Sequence, residues 1–244
     1  MAVITGASRG LGAGMAERLA AAGLHLGLCA RREPPVPAAA AAAGVDVVSA
    51  AVDVTDAGEV DRFAVEVAGR LGRIDLWINN AGVLGPIGPL RDLDPAEVAA
   101  NVAVNVVGVL HGSASFARHV RSRPGGGVLV NVTSGAATRP YEGWSAYCAS
   151  KAAVDQATRV VAAEEAEAGL RAHAVAPGVV DTDMQAAIRS TPSDRFPAVE
   201  RFVQMQRDDA YNSPAWVADH VLGLLAGPPT PDVVLRVPDE PRPG

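Results

Sequence analysis

Lysine is almost missing from this chain: of 21 basic side chains in 244 residues, Lys151 is the one lysine and the rest are arginine. Aromatic residues are also scarce, at 4%. Acids outnumber bases, for a formal net charge of -6. That balance excludes a broad phosphate-binding surface, which needs a clustered positive field, so no nucleic-acid partner is expected. Only two cysteines occur, Cys29 and Cys148, far apart and without a C-x-x-C spacing. A disulfide scaffold and a thiolate metal framework are thereby excluded, and the pair reads as free thiols of a reducing cytoplasm. The five histidines lack H-E-x-x-H spacing, so no metal is expected. A G-x-S-x-G nucleophile elbow is absent, which counts against a hydrolase. The opening "MAVITGASRG" lacks the basic-then-apolar order of a secretory signal. Residues 98–117 carry no formal charge and are long enough to span a bilayer, but Asn101, Asn105, His111, Ser113 and Ser115 interrupt them. A buried core helix is the reading, with no membrane partner.

What is present is alternation. Short β-branched runs, near 2–5, 25–30, 46–52, 76–79, 127–132, 172–176 and 232–237, are separated by alanine- and leucine-rich helical patterns. This is the mark of βαβ units in a parallel sheet. Asp56 and Asp94 stand where helix N-caps belong, each with an acid three residues on, and Pro95 occupies a first helical position; Ser213-Pro214 repeats the pattern. The second helix is expected to be short, because Pro34, Pro35 and Pro37 delay it and a run of alanines follows. With no repeat and no Ser/Gly linker, residues 1–244 read as one domain. The long break at 178–212 is a candidate substrate lid, since ligands of α/β sheets bind outside the carboxyl ends of strands.

"T-G-A-S-R-G-L-G", residues 5–12, follows the first strand and opens the first helix. Glycines there let backbone approach a pyrophosphate, and a helix N-terminus offers free N–H groups to it, which points to Gly6, Ser8, Arg9, Gly10, Leu11 and Gly12 as cofactor contacts. At the end of the second strand an acid would hold the ribose hydroxyls of NAD. Ala30 stands there instead and Arg31 follows. A guanidinium grips a 2′-phosphate in a bidentate fork, so Arg31 and Arg9 favour NADP(H).

Further elements then agree: Asp53 after the third strand, "N-N-A-G" at 79–82, Asn105, "N-V-T-S" ending at Ser134, Tyr147-x3-Lys151 and "P-G-V-V-D-T" at 177–182. Together they resemble the short-chain dehydrogenase/reductase family over essentially the whole chain. The resemblance implies a single-domain, Rossmann-like, doubly wound α/β fold with seven parallel strands in the order 3-2-1-4-5-6-7. It also implies nicotinamide-dependent carbonyl/alcohol chemistry and a catalytic tetrad on Asn105, Ser134, Tyr147 and Lys151. Asp53 and Val54 would lie at the adenine, Asn80, Ala81 and Gly82 along the adenosine ribose, and Pro177, Gly178, Val180 and Thr182 at the nicotinamide. Asn105 would position a water behind Lys151.

The chemistry can be rebuilt from residue types. Positions 147 and 151 are i and i+4, hence on one helix face. A phenol near 10 must fall by about three units to work at neutral pH, which takes ~4 kcal/mol. One cation about 4 Å away at an effective dielectric of ~20 supplies roughly that, so Lys151 is expected to lower Tyr147. A compact ammonium also suits ribose hydroxyls better than a planar guanidinium. Tyr147 would protonate the carbonyl oxygen as hydride reaches its carbon, and Ser134 would donate to that oxygen.

Tyr141, Trp144 and Tyr147 cluster in sequence, and Phe196, Phe202, Tyr211 and Trp216 fall in or beside the lid. With Tyr141, Trp144 and Met184 as lining residues, this favours a bulky or aromatic carbonyl substrate; the other reading of the same aromatics is that they pack the lid down. "P-G-V-V-D-T-D-M-Q-A-A-I-R", "F-P-A-V-E-R-F" and "N-S-P-A-W-V-A" resemble the sepiapterin and benzil reductase branch, whose members reduce vicinal dicarbonyls with NADPH. The ending "L-R-V-P-D-E-P" departs from the commoner family close, which favours a homodimer over a tetramer. Three alternatives stay open: an NADP-dependent alcohol dehydrogenase, a 3-oxoacyl-thioester reductase with Arg189, Arg195, Arg201 and Arg207 as a carrier-binding patch, and a non-catalytic NADP-binding sensor.

Overall fold

The computed structural model describes residues 1–242. Seven parallel strands form one sheet in the order β3-β2-β1-β4-β5-β6-β7, as the family resemblance implied. They are β1 (Ala2–Thr5), β2 (Leu26–Ala30), β3 (Val47–Ala51), β4 (Leu76–Asn79), β5 (Gly127–Val132), β6 (Leu170–Ala176) and β7 (Val234–Arg236). Between them run α1 (Gly10–Ala21), α2 (Ala38–Ala43), α3 (Ala57–Leu71), α4 (Pro95–Val102), α5 (Gly108–Arg121), α6 (Ser145–Glu165), α7 (Asp183–Arg189), α8 (Val199–Arg207) and α9 (Pro214–Ala226).

The strand pleat sorts the core into two layers. Ile4, Leu26, Leu28, Leu76, Ile78, Val128 and Val130 face Met15 and Leu19 of α1 and Val217 and Val221 of α9. Val3, Cys29, Trp77 and Leu129 face Val60, Phe63 and Val67 of α3 and Phe116 and Val120 of α5. Each such side chain, fully buried, contributes about 1.5–3 kcal/mol. Both faces are covered, so the sheet is doubly wound.

The helix starts follow their caps. Asp56 accepts from the Glu59 N–H, Asp94 from Ala96 and Ser213 from Trp216. Glu59 does not close a capping box on Asp56; its carboxylate accepts from the Asp53 N–H at 2.7 Å. Helix α2 is six residues, as its prolines predict. The uncharged stretch lies in a helical run, Pro95–Arg121, that is long and apolar enough by composition to cross a membrane. It packs into the core through Val109, Phe116 and Val120.

A buried polar network ties that run and α6 to the sheet. Trp77 Nε1 donates to Asn79 Oδ1 at 2.8 Å, Asn79 Nδ2 to Asn131 Oδ1 at 2.8 Å, and Asn131 Nδ2 to Thr158 Oγ1 of α6 at 3.0 Å. Fully satisfied networks of this kind fix one register. They set the rotation of α6, and with it the face that carries Tyr147 and Lys151. Residues 178–212 leave the sheet, carry α7 and α8, and return at Asn212, whose Nδ2 donates to the carbonyls of Pro177 and Pro238.

Candidate active site

Parallel strands bring their carboxyl ends to one edge, so the turns after β1, β4, β5 and β6 converge there. After β1, Gly6 takes φ +67°, and a Cβ there would come within 2.7 Å of the Ala81 Cα, so both the backbone and the space require glycine. A Cβ on Gly12 would overlap the Gly6 carbonyl oxygen. Thr5 Oγ1 accepts from the N–H groups of Asn80 and Ala81, and Asn80 Nδ2 donates to the carbonyls of Thr5 and Gly6. The Asn80 side chain is therefore turned into the glycine turn, which it braces. Helix α1 begins at Gly10 without a side-chain cap and without an acid in its first turn, unlike α3 and α4. Free first-turn N–H groups at the positive end of a 12-residue helix suit a pyrophosphate, so this cradle fits a dinucleotide.

Around the cradle, Thr182 Cγ2 would meet a Cβ on Gly10 at 3.1 Å, and Val180 is buried. Arg9 does not stand free: its Nη1 pairs with Asp183 at 2.8 Å. Arg31 is exposed just beyond β2, with no acid at Ala30. Asp53 binds the N–H and hydroxyl of Thr55, and these bonds hold its carboxyl below the usual range, with Arg31 adding a smaller pull. Val54 is buried, and its carbonyl lies 3.0 Å from His111 Nδ1.

Asn105 occupies a π-helical turn, Ala103–Val107, between α4 and α5. Single π turns inside α-helices mark functional positions. Its Oδ1 accepts from the Val83 N–H at 2.8 Å, and its Nδ2 donates to the Val83 carbonyl at 2.8 Å and to Ser150 Oγ at 3.1 Å. The side chain is thus spent on the strand-end loop and on α6. Gly82 faces the same space: a Cβ there would stand 3.7 Å from Lys151 Nζ and 3.3 Å from Asn105 Oδ1.

Ser134, just after β5, accepts from the Ala136 N–H and exerts a downward pull on the Tyr147 phenol. Lys151 Nζ donates to the Val132 carbonyl at 2.9 Å and lies 5.6 Å from the centre of the Tyr147 ring. Ser134, Tyr147, Lys151, Gly82 and Asn105 are therefore gathered in one place beside the glycine turn.

Their electrostatics correct one sequence expectation. Burial pushes the Tyr147 phenol up to about 12, against the pull of Ser134, so its net shift is upward and not the fall expected from its spacing to Lys151. Burial likewise takes Lys151 down to about 8, with Asp155 pulling it back up. Both groups lose their hydration, and that loss outweighs the attraction read from their spacing. The phenol is a fully protonated acid at neutral pH.

The aromatics divide. Trp144 stacks on Phe196 at 4.5 Å and packs against Phe202, while Tyr141 lies 4.9 Å from Trp144 and Tyr147 lies 5.6 Å from it. Met184 packs on the same cluster. With Phe196 fully buried, this pile fastens the 178–212 segment down over the start of α6. Tyr211 and Trp216 stand apart, contrary to expectation: the first accepts from Arg189, the second packs on His220. Arg189 pairs with Asp181 and Arg207 with Glu200, so two members of the arginine patch are neutralised.

Several contributors were not singled out from sequence. Asp183 needed its partner Arg9, and Asn101, which donates to the Gly85 carbonyl at 2.7 Å, needed the loop it holds. Glu240 accepts from the N–H and hydroxyl of Ser213, clipping the carboxyl-terminal segment to the start of α9. Asp155 alone carried a signal, its i+4 spacing from Lys151.

The profile of the short chain dehydrogenase family matches residues 1–193. A benzil reductase ((S)-benzoin forming) of Bacillus cereus is 31% identical over 230 residues, covering 91% of this chain and 92% of that protein. A sepiapterin reductase of Meriones unguiculatus is 40% identical over 208 residues, covering 79% and 78%. The crystal structure of a levodione reductase superposes with a TM-score of 0.84 at 29% identity, covering 98% of this chain and 95% of that one.

Proposed function

The chain belongs to the short-chain dehydrogenase family, oxidoreductases that interconvert CH–OH and C=O groups with a nicotinamide cofactor, and within it we propose an NADPH-dependent reductase of bulky or aromatic ketones and vicinal diketones. The observation that carries this reading is the gathering of Ser134, Tyr147 and Lys151 beside an uncapped glycine turn, with Gly82 setting no side chain against the ammonium.

The cofactor would be held by Gly6, Ser8, Gly10, Leu11 and Gly12 at its pyrophosphate, by Arg31 at a 2′-phosphate and by Asp53 and Val54 at the adenine. Asn80, Ala81 and Gly82 would follow the ribose, and Pro177, Gly178, Val180 and Thr182 the nicotinamide. Bound there, the reduced nicotinamide supplies a hydride to the carbonyl carbon. Tyr147 holds the proton that the carbonyl oxygen takes up, and a phenol near 12 is fully loaded for that step. An alkoxide is the stronger base even so, and it accepts the proton. Ser134 donates to the same oxygen as its charge develops. Lys151 holds the phenolate left behind by its positive charge, and Asn105 fixes the loop at Val83 in front of it.

The substrate class is supported by the apolar character that Tyr141, Trp144 and Met184 give the surroundings of Tyr147, and by the names of the benzil and sepiapterin reductase relatives. The segment 178–212 serves as the lid, anchored by Trp144–Phe196 stacking. Free thiols at Cys29 and Cys148 suit the cytoplasm. A homodimer is supported by exposed apolar side chains on the α4–α6 helices, namely Val102, Val107, Leu110 and Val160. The test is NADPH and NADH oxidation with a panel of vicinal diketones, pterins, aromatic ketones and 3-oxoacyl thioesters. Diketones with NADPH are expected to be preferred; preference for thioesters overturns the substrate reading and preference for NADH overturns the role of Arg31.

A further inference from the structure

Lys151 has a neighbour for which the reductase chemistry above finds no use. Asp155 stands one turn beyond Lys151 on α6 and two turns beyond Tyr147, so the three share a stripe. Lys151 is 5% exposed and Asp155 4%. The Asp155 Oδ1 is sealed from solvent without a hydrogen-bond partner. A buried carboxylate oxygen left in that condition is costly, and such a cost persists where the charge has a task.

Among the described residues Asp155 forms no ion pair within 4 Å, and Lys151 is the buried cation on its own helix stripe. From β5 Asn131 donates to Thr158, and just beyond it Thr133 donates to the Lys151 carbonyl. From the π turn, Asn105 donates to Ser150; from α5, Ser113 donates to Asn131 and to the Val109 carbonyl. β6 presents Ala172 on this side of the sheet. None of these side chains titrates. On α6 itself Tyr147 is an uncharged acid at neutral pH, Cys148 lies beside it on the sequence, and Arg159, one turn past Asp155, is exposed.

We propose that the Asp155 carboxylate is the buried counter-ion of the Lys151 ammonium, a positioning residue that acts on the proton donor through Lys151. Burial alone drives the ammonium toward neutrality, and Asp155 is the opposing charge that raises it. Without Asp155, Lys151 sheds its proton at lower pH, and Tyr147 loses the positive charge that stabilises its phenolate. The proposal rests on the reductase reading for its kinetic consequence, but not for the state of Lys151.

Because the chain holds a single lysine, labelling with ¹³Cε-lysine gives one side-chain resonance, that of Lys151. Its titration in the wild type, followed from about pH 6 to about pH 10, is expected to centre near 8. In Asp155→Asn the midpoint falls by about half a unit or more. The alkaline limb of the NADPH-dependent reduction rate moves down by the same amount, with KM for NADPH changed less than about two-fold. Asp155→Ser, also uncharged, gives the same comparison if the Asn variant does not fold. Coincident midpoints overturn the counter-ion, and a shifted resonance with an unmoved rate profile overturns its part in catalysis. A wild type that reduces no carbonyl compound overturns the reductase reading instead, and the resonance still decides the counter-ion.

Discussion

Arg9 in the glycine turn and Asp183 at the start of α7 meet in a 2.8 Å ion pair that joins the glycine turn to the 178–212 segment. Both side chains are largely exposed, so the pair adds little to stability, about 0–1 kcal/mol. Its consequence is competition, since a guanidinium held by Asp183 is less free for a 2′-phosphate. Asp183→Asn is expected to leave the melting temperature within about 2 °C of wild type. In fluorescence titrations it should tighten NADPH about two- to five-fold with NADH unchanged, since an exposed ion pair of this kind is weak. Equal effects on both cofactors would assign Arg9 to the pyrophosphate instead.

Gly12 offers a harder test of the turn. An added Cβ would overlap the Gly6 carbonyl oxygen and come within 2.5 Å of Asn80 Nδ2, and the Thr5–Asn80–Ala81 bonds prevent either from yielding. Gly12→Ala should cost about 1–3 kcal/mol by denaturant unfolding, in the range of other overpacked sites. It should also abolish NADPH binding by calorimetry. Gly69→Ala, within α3 where a Cβ meets nothing within 4 Å, keeps cofactor affinity and serves as the control for a glycine lost elsewhere.

How much of this was legible in the sequence depends on whether a feature is local. All seven strands fall within two residues of their sequence bounds because β-branched runs between turn residues report their own burial. The seventh shrinks to Val234–Arg236, an edge strand with one neighbour. β6 starts two residues early: Arg171 reads as polar, yet its guanidinium reaches out to the carbonyls of Leu225 and Gly227 while its backbone pairs with Val128. The three capped helix starts were visible for the same local reason. What was hidden is what needs two distant segments: the Arg9–Asp183 pair, the Asn105 clamp on Val83, and the burial that raises the Tyr147 phenol where its spacing from Lys151 alone predicts a fall.

Two histidines set a pH dependence. Burial holds His119 below its ordinary value, with Arg123 adding to the effect, and burial does the same for His173. At His119 the cause is visible: its Nε2 accepts from both the Ile74 N–H at 3.1 Å and Arg123 Nε at 3.0 Å, so it cannot carry a proton. A depressed folded pKa means that the unfolded chain binds more protons below ~6.5, so this stability is present above ~6.5 and is lost as pH falls through the folded values. The melting temperature should drop by about 3 °C or more between pH 7.5 and pH 5.5, with a shallower slope in His119→Gln. Asp75 does not confound this window. Burial alone would raise it, but the Met1 amino group and Arg73 hold it low, so its contribution fades only below ~4.

Tyr147→Phe tests the proton donor most directly. The substitution removes one oxygen from a buried ring that still packs against Trp144. Single-turnover and steady-state oxidation of NADPH with a vicinal diketone should fall by about 10²–10⁴-fold in kcat, while the dissociation constant for NADPH changes less than about three-fold. A variant that turns over within a few-fold of wild type would contradict the assignment of Tyr147, and with it the chemistry built on Ser134 and Lys151.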